Sequence, residues 1–233
     1  MNLFKAMIVS ASLACAAPAL AGENTVVVEL FTSQGCSSCP PADALMQKLA
    51  TKDHVIALSL HVDYWDYIGW KDRFADPAYT ARQKAYANKA GRHMVYTPQM
   101  IINGTDQVVG ARAMDLADLI SAHAAKQARA QVMAEREGDL LRIGVVPLGE
   151  GLDGRYVLQL VRYSDVETVK ITKGENAGRT VTYVNVVDGW ETLGDWDGST
   201  VLTLEATISG DRPAVILVQE HGPGPIVAAA ELD

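Results

Sequence analysis

Glu29-Leu30-Phe31-Thr32-Ser33-Gln34-Gly35-Cys36-Ser37-Ser38-Cys39-Pro40-Pro41-Ala42-Asp43 is the stretch on which the reading of this chain turns. It completes a β-branched run, Thr25 to Phe31, of strand type, and leads into Pro40 to Lys52, where Ala42, Leu45, Met46 and Leu49 fall at helical spacing. Two cysteines two residues apart, between a strand and a helix, can close a small disulfide. Reduced, they can present one thiolate for attack and a second thiol to resolve the product. Other uses of the pair fit less well. A structural zinc site takes about four ligands, and His54, His61, His93, His123 and His221 never fall at H-x-x-x-H to H-x-x-x-x-x-H spacing. Haem attachment needs a histidine where Pro40 stands. A purely structural disulfide in so tight a loop gains little chain entropy.

The two prolines shape the start of the helix. Proline disfavours the α conformation in the residue before it, so Cys39 is expected outside the regular helix, which begins at Pro40 or Pro41. Cys36 then stands farther from the helix N-terminus, and the dipole does less to lower its pKa.

Upstream, residues 1–21 read as a signal peptide. Lys5 is the positive n-region, Ala6 to Ala17 the apolar stretch, and Ala19-Leu20-Ala21 the small-x-small cleavage pattern. Cleavage removes Cys15 and leaves Cys36 and Cys39 alone in an oxidising compartment, periplasmic or secreted. The chain has 233 residues, 48% of them hydrophobic, which supports a sizeable core and argues against disorder. With 20 basic and 28 acidic residues and a net charge of −8, it lacks the basic face of a nucleic-acid binder. No run in the mature chain is long and apolar enough to span a bilayer as a helix.

Downstream, His54 to Val62 reads as a second strand and Asp76-Pro77 opens a helix through Asn88. Met100 to Asn103 and Gln107 to Val109 flank the hairpin signal Asn103-Gly104-Thr105-Asp106, and a long helix is expected from about Met114 to Glu137. The expected order for residues 22–137 is β-α-β-α-β-β-α, a compact α/β layer. Residues 138–233 change character. Short stretches from Leu140 to Val146, Tyr156 to Tyr163, Val166 to Thr172, Thr180 to Val187, Thr200 to Ala206, Ala214 to Gln219 and Ile226 to Ala230 are separated by turns, the pattern of a smaller all-β, sandwich-like domain.

A second motif, Tyr96-Thr97-Pro98-Gln99-Met100-Ile101-Ile102-Asn103-Gly104, puts a proline at the start of a strand. With Cys36 and Cys39 after the first strand, it resembles the thioredoxin superfamily over roughly Thr25 to Glu137. The resemblance implies a cis Thr97–Pro98 bond lying against the redox pair, with backbone groups of Thr97 pairing to an extended substrate. ELFTSQGCSSCPPAD, HVDYWDYIGWKD, ARQKAYA, VYTPQMIING and GENAGRT together look like a family of secreted bacterial proteins catalogued as a domain of unknown function with a thioredoxin-like fold.

On this basis Cys36 and Cys39 are the candidate catalytic residues of a thiol-disulfide oxidoreductase. It needs no cofactor beyond its own redox-active disulfide, and its partners are protein thiols or disulfides of the cell envelope. Tyr64 and Trp65 join Thr97 and Pro98 as candidate substrate contacts, although core packing of an insertion is the favoured explanation of the aromatic segment 61–70. Glu29, on the same strand face as Val27 and Phe31, and His61 are candidates for tuning the cysteines. A second reading makes Cys36, Cys39 and His61, with Met94 or Met100, a Cu(I) site. A third treats the disulfide as inert and the β half as a docking surface. Arg82, Lys84 and Lys89 read as a solvated helix face, and Gly174 to Arg179 as a polar turn or a contact between the halves.

Overall fold

The computed structural model describes residues 24–149 and 152–232; the expected signal peptide, with Cys15, lies outside them. Strand β1 (Val26–Thr32) is buried along its whole length, and its sequence is correspondingly a nearly unbroken apolar run. It pairs in parallel with β2 (Val55–His61) and antiparallel with β3 (Gln99–Ile102), beyond which lies β4 (Asp106–Val109). The helices are α1 (Pro40–Leu49), α2 (Pro77–Lys89) and α3 (Ala113–Ala124), so this half runs β-α-β-α-β-β-α. Alternate residues of β1 feed two cores. Val26, Val28 and Leu30 pack with Ala42 and Met46 of α1 and Leu116 of α3, while Val27 and Phe31 pack with Tyr79 and Tyr86 of α2.

The rest of the described chain is β5 (Ala130–Glu137), β6 (Leu140–Pro147), β7 (Tyr156–Lys170), β8 (Thr180–Trp196), β9 (Leu202–Thr207), β10 (Ala214–Glu220) and β11 (Ile226–Leu232). Two sheets result: eight strands in the order β11-β10-β7-β8-β2-β1-β3-β4, and three in the order β5-β6-β9. The fold is therefore mixed α/β with one large central sheet and few helices. Four strands beyond residue 138 continue the sheet begun by β1–β4. The junction is narrow: β8 meets β2 at Ser59 and Val186, aided by Ser59 Oγ donating to Val184 O and Asn185 Nδ2 donating to Ala57 O. The small sheet packs Val132, Leu141, Ile143 and Val145 against Leu158, Leu160, Ile216 and Val218 of the large one.

Two expectations from the sequence need correction. The long helix from Met114 to Glu137 stops at Ala124, and Ala130–Glu137 is a strand. Ala130 and Val132 point inward while Gln131 and Met133 are exposed, and the hairpin at Gly138 (φ 61°) pairs the segment with β6. Alternation plus a partner strand outweighed alanine's helix propensity. The expected strands Tyr156 to Tyr163 and Val166 to Thr172 are likewise joined in one strand, β7, which runs past Ser164 and ends at Lys170 because β8 offers a partner, with two register shifts, from Tyr156 to Lys170.

Candidate functional site

Ser33 to Cys39 forms a tight loop off the end of β1. Cys36 N donates to Ser33 O and Cys39 N to Cys36 O, at 3.1 and 3.2 Å. Cys36 and Cys39 are joined as a disulfide. The helix begins at Pro40 with Cys39 as its N-cap. Contrary to the preference imposed by a following proline, Cys39 is itself in the αR region. Its carbonyl there accepts from Ala42 N and Asp43 N, satisfying two donors of the first turn. The sequence reading requires one accessible sulfur for attack. In this disulfide form Cys36 is 2% exposed and Cys39 0%, although Ser37 and Ser38 between them are exposed.

The segment after β2 supplies part of the cover. A Cβ on Gly35 would lie 3.1 Å from Trp65 Cβ and 3.3 Å from Ile68 Cδ1, so any larger residue would require this segment to give by a few tenths of an ångström. Trp65 Nε1 donates to Thr97 Oγ1 at 2.7 Å, so one half-buried indole joins the disulfide loop to the start of β3. The Thr97–Pro98 bond is cis and Pro98 is buried. Tyr64 lies beside Trp65 and donates its hydroxyl to Gln83 Oε1, and burial pushes its pKa up to about 12. Trp70 Nε1 donates to Gln34 Oε1. The segment thus packs and also borders the disulfide.

Behind the loop lies a buried polar cluster. His61 Nδ1 is 2.7 Å from Asp72 Oδ2, which also accepts from Gln34 N. Burial works against the Asp72 carboxylate, but His61 and the donors Gln34 and Phe74 outweigh it and hold its pKa below the usual value. Asp43, one turn into α1, accepts from Thr32 Oγ1 at 2.7 Å. Burial raises its pKa to about 7 against the opposing effects of Thr32 and His61. Asp43 Oδ2, His61 Nε2, Gln34 Nε2 and Asn176 Oδ1 are buried without a hydrogen-bond partner.

Glu29 is held away from the cysteines' chemistry. Both its oxygens accept from Arg82, at 2.6 and 3.1 Å, and Tyr86 donates to it at 2.5 Å. Arg82 is therefore not on a solvated face: it is mostly buried, stacked 4.0 Å over the Trp190 ring and bonded to Gln219. The copper reading also draws on Met94 and Met100. Met94 is 80% exposed, Met100 lies in the core, and the described residues hold no group of three or more His, Cys, Asp or Glu arranged for a metal ion.

Asp43 and Asp72 escaped the sequence reading, and Asn176 entered it only within a stretch read as a polar turn or a contact between the halves. Asp43 was the most legible, a carboxylate beside Ala42 and one turn before Met46 on the buried stripe of α1. Asp72 carries no signal of its own. Asn176 lies in the GENAGRT stretch, and its amide donates to Gln34 O and Cys36 O, both at 2.9 Å, making that turn a contact between the two halves.

Residues 27–219 match the family described as protein of unknown function (DUF1223), and the chain belongs to that family. It is also similar to a solved crystal structure of a protein from Agrobacterium tumefaciens, with a TM-score of 0.77 and 35% identity over 90% of this chain and 94% of the other. No curated protein matches it.

Proposed function

We propose that this protein is an exported thiol-disulfide oxidoreductase of thioredoxin-like type, acting through Cys36 and Cys39 on protein thiols or disulfides of the cell envelope. The observation that carries this reading is the convergence of the disulfide loop, Trp65 and Thr97. The strand order β2-β1-β3-β4, with β2 parallel to β1 and β3 antiparallel to it, supports the thioredoxin-like assignment of the first half. In the proposed reaction a partner thiolate bonds to Cys36 Sγ while the Cys36–Cys39 bond breaks and its electron pair leaves on Cys39. A second partner thiolate then displaces Cys36 and closes the partner's disulfide, so that two electrons reach the protein and both cysteines end as thiols. In reverse, the protein reduces a disulfide. Thr97 and Pro98, with Tyr64 and Trp65, border the place where the partner's chain would lie.

Replacing Cys39 with serine tests this directly. The variant is expected to accumulate a mixed disulfide through Cys36 in cell-envelope extracts, and no trapped species together with no turnover of a model disulfide rejects the reading. The burial of both sulfurs favours a second reading, an inert structural bridge. The two separate on reduction potential: a structural bridge lies below about −300 mV and a catalytic one above it.

A further inference from the structure

Cys36 is buried although Ser37 and Ser38, which follow it, are exposed, so the cover comes from outside its own loop. One part is the 65–70 segment. The other comes from the far half of the chain, where β7 and β8 form a long antiparallel hairpin whose tip, residues 171–179, reaches the disulfide loop. The tip is a turn closed on itself: Gly178 N donates to Ile171 O, Ile171 N to Arg179 O, Ala177 N to Gly174 O and Arg179 N to Asn176 O. Gly174, at φ 74°, lies against Trp70, where a Cβ would meet the indole's Cβ at 3.2 Å.

One tip side chain turns inward. Asn176 is 1% exposed while Glu175 and Ala177 on either side are exposed, and its amide nitrogen spans the carbonyls of Gln34 and Cys36. Its Oδ1 is buried with no partner. Because the tip satisfies its own backbone, releasing these two bonds leaves the hairpin intact. We propose that Asn176 is a positioning residue of the disulfide site: it clamps the hairpin tip over Cys36, and an attacking thiol reaches that sulfur only after the clamp releases. The proposal rests on the oxidoreductase reading and extends it, since it makes the far half of the chain part of the site.

The test is reduction of the full oxidised protein by dithiothreitol, followed by rapid alkylation of the released thiols. One thiolate of the reagent bonds to Cys36 as Cys39 leaves; its second sulfur then displaces Cys36 and closes the reagent's own ring, passing two electrons and two protons to the cysteines. Release before attack lowers the wild-type rate by the fraction of molecules whose tip is released. Asn176→Ala should be about tenfold faster at the same reagent concentration. Asn176→Asp, of the same size but without the N–H donors, should behave alike. Asn185→Ala removes the bond to Ala57 O from the same hairpin away from the tip, and should stay within about twofold of wild type.

Asn176→Ala within about twofold of wild type overturns the proposal, as does Asn185→Ala accelerating as much as Asn176→Ala. If neither Asn176→Ala nor Asn176→Asp folds, Asn176→Ser, which is too short to span both carbonyls, takes their place under the same two criteria. Dithiothreitol reads access whether or not a protein partner exists, so this result is independent of the Cys39→Ser trap.

Discussion

On the α2 face of β1, Glu29, Arg82, Tyr86 and Gln219 bond to one another until both carboxylate oxygens, the guanidinium and both ends of the glutamine amide are engaged. On the α1 face, Asp43, His61, Gln34 and Asn176 each leave a buried polar atom without a partner. Both clusters are buried, and both join residues far apart in the chain. The first behaves as a closed brace: its ion pair helps fix α2 and β10 against β1. The second is tied to the disulfide loop through Gln34 N, Gln34 O and Cys36 O, and reduction of that disulfide would create two thiols, new hydrogen-bonding groups. Native proteins rarely leave buried polar atoms unpaired, and a concentration of them beside a disulfide suits a site whose chemistry changes between states.

The closed cluster should give the largest loss. Replacing Arg82 with methionine leaves the Glu29 charge buried and unpaired and should lower stability by about 3–5 kcal/mol in urea denaturation. Lys84→Met, on the exposed side of the same helix, should change it by no more than about 0.5 kcal/mol. Equal losses would show that the cluster is not a brace.

The open side should reveal itself through pH. The Asp43 carboxyl titrates near 3.8 when unfolded and at about 7 when folded, so its contribution is fully present below the unfolded value. As pH rises from about 4 to 7 the unfolded chain gives up this proton and the folded chain keeps it, so about 4 kcal/mol of stability is lost across that window. Asp72 is shifted the other way, and its contribution is lost only below about pH 4. Denaturation midpoints measured across pH should show the fall in wild type, and Asp43→Asn should remove it. A fall that survives the substitution would assign it to another group.

The smallest effect belongs to the bridge between the disulfide loop and β3. Trp65→Phe keeps the aromatic contact and loses the bond to Thr97, at about 1 kcal/mol by thermal melting. A much larger loss would mean that Trp65 holds the core rather than the rim of the site.

Much of the first half is legible without coordinates. Runs such as Val26–Thr32 and Val55–His61 read as strands because they are buried on both faces, and Asp76-Pro77 marks the start of α2, where Asp76 accepts from Ala78 N. The residues around the disulfide are less legible. Glu29 looks like a tuning acid from its strand position, yet which charge it meets is set by Arg82, 53 residues away. Residues 130–137 look helical from composition, because alanine propensity is local and the competing strand partner is not.

By itself the sequence determined where chain direction and hydrogen-bonding pattern change: strand, disulfide loop, proline-led helix, proline-started third strand. Those are set by dihedral limits and by periodicities within a few residues. Three-dimensional packing alone sets which polar groups are buried together, and brings the tip of a hairpin about 140 residues downstream to the Cys36 carbonyl. Burial and partner choice depend on how sheets stack in space, and no local spacing encodes that distance.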